Sequence, residues 1–234
     1  MSQYNAVNIL DMVDAIGEDA VKNILSDFSC HKNFEIENYV KKNALEFAKR
    51  KMSITYLVVD EEGNLVAFFA LTHKAVQLTN EGLSGSMRKK IERHAKLDEQ
   101  SNTYMLSAFL IAQFGKNDRY KEKVTGNELM DMTMNILVAV QREIGGGVVY
   151  LECEERPQLL SFYENEKNRF RVFRRCWRQM VWQQEKTINL RGGMMLRKMQ
   201  LSFRSKMVNK VLSRLKDVQL DITSIWSYNT SKWT

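Results

Sequence analysis

From Tyr104 to Gly115 the chain reads YMLSAFLIAQFG, a run too short to span a bilayer and too continuously apolar for a strand with one wet face. A strand of this kind is covered on both sides, so its sheet needs helices above and below it. The residues that follow supply the covering elements in order. After the charged loop NDRYKEKV, Thr125 and Gly126 open a helix, with Glu128 three residues past Thr125 in an approximate capping box. GGGVVYLEC then reads as a Gly-led, β-branched strand, and Pro157 opens a short helix, RPQLLSFYENE, as proline in a first turn does. Strand, helix, strand, helix predicts an α/β protein with a mixed sheet flanked by helices.

Upstream, residues 9 to 28 place Ile9, Val13, Ile16, Val21, Ile24, Leu25 and Phe28 at helical spacing, interrupted near Gly17. Residues 34 to 52 repeat that periodicity through Ile36, Tyr39, Val40, Leu45 and Phe47. SITYLVVD and LVAFFALT flank DEEGN, a hairpin signal with Gly63 and Asn64 at the turn. Residues 77 to 103 are polar and include the basic run SMRKKIERHAK, which reads as a surface excursion with a short helix.

At 234 residues the chain is long enough for one substantial core and a small appendage. The composition changes beyond Phe173. Thirteen Lys and Arg but only one acid, Glu185, lie between Arg171 and Lys216; that segment carries +12 and the remainder −5. The expected organisation is therefore a catalytic-sized domain over residues 1–173 and a basic extension over 174–234, partly helical because Met207, Val208, Val211, Leu212 and Leu215 share a helical face. A basic segment on an acidic body suits an anionic partner. Cys30, Cys153 and Cys176 are too few and scattered for a disulfide framework, and His31, His73 and His94 have no metal-ligand spacing, so neither disulfides nor a metal site is expected. Without a long apolar run or a signal-peptide layout, the expectation is a soluble, cytoplasmic protein with no membrane role.

The motifs SAFLIAQFGKN, TGNELM, VVYLEC and SFYEN, in this order, resemble the core of the Gcn5-related N-acetyltransferases (GNAT). The resemblance implies a central sheet splayed at an acetyl-coenzyme A site. Phe114, Gly115 and Lys116 would then offer backbone groups to the pantetheine arm, with Gly115 admitting close approach. Thr125, Gly126 and Asn127, at a helix start, would present amides to the pyrophosphate, with Lys121 adding charge. The family's phosphate loop has two glycines; here Val124 stands at the first position and Gly126 at the second. Tyr163 of SFYEN matches the tyrosine that protonates the departing thiolate, and is the expected catalytic acid. Glu152, Glu154 and Glu155 cluster near it and are open candidates for a base.

Phe28, Cys30, Glu35, Ala44, Ser53, Thr55 and Tyr56 extend the resemblance upstream, toward the branch of this family that acts as toxins in toxin-antitoxin pairs. That branch implies a primary-amine acceptor on aminoacyl-tRNA and an antitoxin partner; a homodimer built through the basic tail is a separate expectation, from the tail's change of composition. The basic tail, with Trp177 and Trp182 as stacking faces, suits RNA; it equally suits an interface between protein chains. A non-catalytic nucleic-acid or protein-binding module on the same fold is the competing reading, favoured by the missing glycine at Val124.

Overall fold

The computed structural model describes residues 4–178 and 190–198, with side chains through residue 172. The expected helix at residues 202–218 and the side chains of Trp177 and Trp182 lie outside the described residues.

The chain enters on β1 (Tyr4–Asn8), a strand that the sequence reading did not anticipate. Two helices, α1 (Ile9–Ile16) and α2 (Glu18–Ser26), follow, broken where Gly17 takes φ +85°, a left-handed conformation that residues with a Cβ resist. Next, α3 (Phe34–Asn38) continues through a π-helical turn at Tyr39–Asn43 into α4 (Ala44–Lys49). The expected hairpin is β2 (Ile54–Asp60) and β3 (Leu65–Thr79), the latter running well beyond LVAFFALT. The polar excursion holds α5 (Gly85–Ile91) and the two-residue β4 (Leu97–Asp98). Then come β5 (Thr103–Lys116), α6 (Gly126–Ile144), β6 (Val148–Glu154), α7 (Pro157–Glu164), β7 (Arg171–Arg178) and β8 (Leu190–Lys198).

The strands form one sheet in the order β1-β2-β3-β5-β6-β8-β7, with β4 on the side of β5. Every pairing is antiparallel except β5 with β6. β7 and β8 carry the sheet past residue 173, where the composition changes.

Both faces are covered, as the apolar run in β5 requires. On one face, α1 to α4 bury Ile9, Val21, Leu25, Phe28, Tyr39 and Val40 against Leu57, Phe68 and Ala70 of the sheet. On the other face, Leu129, Met130 and Leu137 of α6 and Tyr163 of α7 pack against Phe69, Leu71, Phe109, Ile111 and Leu151. Each fully buried side chain of this size is worth about 1.5–3 kcal/mol. Thr133, buried inside α6, satisfies its hydroxyl by donating to Leu129 O at 2.8 Å. The long ends of β3 and β5 form a third cluster with α5, in which Leu78, Ile91, Tyr104, Leu106, Leu110 and Tyr150 are buried. Val76 and Leu78 alternate in step with Phe68 and Ala70 along β3, so α5 lies on the same face as α1 to α4.

A β-bulge shapes the middle of the sheet. Ala70 pairs with Gln113 and Leu71 with Ile111, which leaves Ala112 as the extra residue in β5. Past it the alternation inverts: Phe109, Ile111 and Phe114 all join one cluster, and Gly115 faces Ile36 and Phe68 on the other side. In a run where nearly every residue is apolar, this inversion leaves no trace in the hydrophobic pattern.

Candidate active site

β5 and β6 are paired at only three positions, Phe109 with Val149, Leu110 with Tyr150 and Ile111 with Leu151. Both strands continue, but held from outside: β5 stays on β3 as far as Lys116 opposite Ala67, and β6 stays on β8 as far as Glu154 opposite Gly192. The bulge at Ala112 begins where the parallel pairing ends, and it turns β5 away from β6. Past Ile111 and Leu151 the two strands no longer pair with each other, and their facing edges line a wedge. Peptide groups left without partners bind something else that carries amides, or water.

Antiparallel pairing alternates which residues point at their neighbour. Asn117 N donates to Val66 O at 2.9 Å, which makes Gly115 and Phe68 the next hydrogen-bonded pair along the ladder. By that alternation the peptide groups of Phe114 and Lys116 face the wedge, and those of Gly115 face β3. The glycine has a steric reason of its own: a Cβ there would lie 3.0 Å from Ile36 Cγ2 and 3.1 Å from Phe68 Cε1. A side chain at 115 would push α3 off the sheet.

The Lys116 side chain reaches under the next loop, where Nζ donates to Lys121 O at 2.6 Å and to Val124 O at 2.9 Å. It thereby ties the loop's carbonyls down and holds a positive charge just ahead of α6. Lys121 is exposed and contributes that carbonyl. Val124 is 1% exposed and belongs to the core under α6, so the residue in the glycine position is turned inward as packing.

Thr125 is the N-cap of α6 in a complete capping box. Its hydroxyl accepts from Glu128 N at 3.2 Å, and Glu128 Oε2 accepts from Thr125 N at 2.8 Å and from the Thr125 hydroxyl at 2.7 Å. Those bonds, the amide first, hold the Glu128 carboxyl below its ordinary pKa. One of the amides expected to meet phosphate is thus already occupied by a carboxylate of the same chain. The first bond to a main-chain carbonyl inside the helix runs from Leu129 N to Thr125 O, which leaves the amides of Gly126 and Asn127 as the open donors at this terminus. Gly126 is held glycine by the neighbouring helix: a Cβ would sit 2.9 Å from Phe162 Cε2. Asn127 Oδ1 accepts from Asn168 Nδ2 at 3.2 Å, and Asn168 also donates to Phe162 O at 2.7 Å, fastening α7 to the start of α6.

Tyr163 is 7% exposed and packs edge-on against Phe162 and Phe170, with ring centroids 4.9 and 5.9 Å away. Burial first, and then the nearby Cys153, push its phenol far above the ordinary value of 10, so it stays protonated. Among the described residues its hydroxyl has no hydrogen-bond partner, although it lies beside Cys153 on the diverging end of β6. Burial, followed by the charges of Glu154, Glu155 and Glu164, pushes the Cys153 thiol up to about 11; it is a neutral thiol and a poor nucleophile at neutral pH. Cys153 alternates with Val149 and Leu151 on the Tyr163 side, whereas Glu152 and Glu154 share the other face with Tyr150. Glu154 pairs with Arg156; Glu152 is exposed, and its charge adds to burial in raising the Tyr150 phenol. Among the described residues no group of three or more metal-ligating side chains comes together, and no helix is long and apolar enough to cross a membrane.

Asn117 is a further residue of the site that its sequence context did not announce. Fully buried, it accepts from Ser29 N at 3.1 Å and from Arg119 N at 3.2 Å, and donates to Leu65 O at 2.8 Å. Asp118 accepts from His31 N at 2.7 Å. Together they pin the loop after α2 against the end of β5. A buried Asn reaching three segments has no local pattern.

By sequence the chain matches no family model and no curated protein. By structure its neighbours include bacterial toxins. A bacterial toxin superposes with a TM-score of 0.55 over 94% of this chain and 99% of its own, at 13% identity. A tyrosine-to-phenylalanine variant of the toxin KacT gives 0.54 over 90% and 99%, at 12% identity. The toxin AtaT in complex with acetyl-methionyl-tRNAfMet gives 0.52 over 80% and 91%, at 9% identity. This chain has the GNAT fold. In GNAT terms the wedge between β5 and β6 is the splay at which that fold opens its sheet, α6 is the helix that follows the splayed strand, and SFYEN forms the last turn of α7, the helix after it, which Pro157 opens.

Proposed function

We propose that the protein is an N-acetyltransferase that moves the acetyl group of acetyl-coenzyme A to a primary amine. The observation that carries this reading is the wedge itself: two strand edges that part from each other, a helix N-terminus at one end, and a protonated tyrosine beside the diverging strand whose hydroxyl has no partner among the described residues. Acetyl-coenzyme A supplies an acetyl thioester whose leaving group needs no metal and no protein nucleophile. The residues present fit it. The peptide groups of Phe114 and Lys116 pair with the amides of the pantetheine arm, and one N–H is available to a developing oxyanion. Gly115 keeps the strand close to α3, so those groups are held in place. The amides of Gly126 and Asn127, the Lys116 ammonium and the exposed Lys121 meet the phosphates, while Thr125 caps the helix.

Tyr163 acts as a hydrogen-bond donor to the departing sulfur. A free thiol has a pKa of about 8.5, below that of this phenol, so the phenol stabilises a thiolate by donating to it before any proton is transferred. Glu152, exposed on the opposite face of β6, is the acid we assign to take the proton from an incoming ammonium. The acceptor that the neighbours favour is the amine of an aminoacyl-tRNA, since AtaT is complexed with acetyl-methionyl-tRNAfMet. An ester-linked α-amine is weakly basic and needs little help in losing its proton.

One observation favours the non-catalytic reading. The Glu128 carboxylate on the Thr125 amide and the buried Val124 reduce what α6 offers to a phosphate. Isothermal titration with acetyl-coenzyme A decides between the two. Saturable heat accompanied by thermal stabilisation supports the enzyme, and their absence at millimolar cofactor removes it. Tyr163→Phe then separates the roles of the tyrosine. Loss of turnover by about 100-fold with unchanged cofactor affinity identifies the donor, whereas parallel loss of both identifies a packing residue.

A further inference from the structure

The face of α5 that is turned to solvent is strongly cationic, and α5 covers the part of the sheet that leads up to the wedge. α5 is amphipathic: Met87 and Ile91 point down onto the sheet with Leu83, and Ile91 is 4% exposed. Its other positions carry Arg88, Lys89 and Lys90, followed by Arg93 and Lys96, all exposed. The cluster on which α5 sits includes Leu110, Ala112 and Tyr150, which are the residues at the point where β5 and β6 part. Lys74, exposed on the same face of β3 as Val76, extends the charge toward that point.

Two features separate this patch from an ordinary solvated helix face. Several cations on the other helices are neutralised in place, Lys22 and Lys41 lying 2.7 and 2.8 Å from a carboxylate one turn away. Among the described residues none of these five cations has an ion pair, and the intervening acid, Glu92, exposed like them, gives a carboxylate oxygen to the Tyr104 hydroxyl at 3.0 Å. The helix dipole accounts for cations in the last turn, Arg88 to Lys90, but not for Arg93 and Lys96 beyond it. Unpaired like charges held together repel one another, and the arrangement gains when an extended polyanion lies across it.

We propose that the outward face of α5, Arg88, Lys89 and Lys90 with Arg93 and Lys96, grips the phosphate backbone of an RNA acceptor while its amine enters between β5 and β6. This rests on the RNA form of the acetyl-transfer reading. It assigns the docking to the excursion between β3 and β5, rather than to the basic tail alone.

The test is fluorescence anisotropy of end-labelled, unfractionated transfer RNA with the full chain at several salt concentrations. The variants are Lys89→Gln/Lys90→Gln/Arg93→Gln together and each substitution singly. The triple variant is expected to bind about tenfold or more weakly and to lower the slope of log affinity against log salt by about 2–3, each single change by about 1. Titration of acetyl-coenzyme A into the same samples should be unchanged, which also shows that the variants are folded. Unaltered affinity and salt slope in the triple variant overturn the proposal. So does a wild-type chain that ignores RNA but retains poly-glutamate, which would point to an acidic protein partner. Failure of the acetyl-transfer reading registers separately, as absent cofactor heat in the wild type.

Discussion

Glu128→Gln separates two things that α6 does at its N-terminus. The amide retains an oxygen for Thr125 N and the Thr125 hydroxyl, so the capping geometry at 2.8 and 2.7 Å survives while the charge is removed. Losing a carboxylate from the positive end of a helix costs about 0.3–1 kcal/mol, a fall in Tm of roughly 1–4 °C for a chain of this size. Cofactor affinity should move the opposite way. A diphosphate of charge −2 about 6 Å from the carboxylate is repelled by about 1.4 kcal/mol in water, and by about half of that at 0.15 M salt. The variant should therefore bind acetyl-coenzyme A about threefold more tightly at 0.15 M salt and nearly tenfold more tightly at low salt, read by titration calorimetry beside thermal melts. The depressed folded pKa of Glu128 also fixes the sign of its pH effect: its contribution to stability is present above the unfolded carboxyl pKa and is lost as pH falls through the folded one. The variant's acid limb should be shallower to that extent. Affinity that does not rise, or does not depend on salt, would refute the placement of the pyrophosphate at the start of α6.

Gly126→Ala should destabilise by about 1–3 kcal/mol in urea denaturation, because its Cβ would lie 2.9 Å from the Phe162 ring and α7 would have to shift; an unchanged midpoint would mean that the ring turns aside freely. Asp60 is 7% exposed, accepts from Lys123 Nζ at 2.6 Å and from Asn64 N at 2.8 Å, and organises the β2–β3 turn. Burial alone would raise its pKa, but the bonds from Lys123 and Asn64 outweigh that and hold it far below the usual carboxylate range. Asp60→Asn should cost about 2–3 kcal/mol at neutral pH. It should also flatten the loss of stability on acidification below about pH 4, where the carboxylate of the unfolded chain takes up a proton that the folded one does not. Equal acid slopes in the two proteins would show that other groups govern the acid limb.

Much of the scaffold was legible locally because its signals are local. The break at Gly17, the Thr125 and Glu128 capping box and the Pro157 helix start each depend on residues within one turn of each other, and each stands where the sequence placed it. β1 escaped because five residues, YNAVN, carry no alternation of their own; they become a strand by pairing with β2. β7 and β8 escaped for the same reason, in a stretch whose Arg and Gly content hides any period.

The candidate site divides along the same line. Sequence alone determined the order of the elements from the β2–β3 hairpin to α7, the helix start after the apolar strand and the tyrosine in the last turn of the last described helix, because order and capping are properties of the chain. Only the tertiary structure decided what those residues face. The bulge at Ala112 inverts the alternation of β5 and opens the wedge. Gly115 and Gly126 are glycines because Ile36 and Phe162 arrive from distant segments to occupy the space of a side chain. Val124 is drawn into the core, and Lys116 bends under the loop that follows it. A side chain's direction is set by the neighbour with which it can exclude water or share a proton, and those neighbours come from parts of the chain that meet only when it folds.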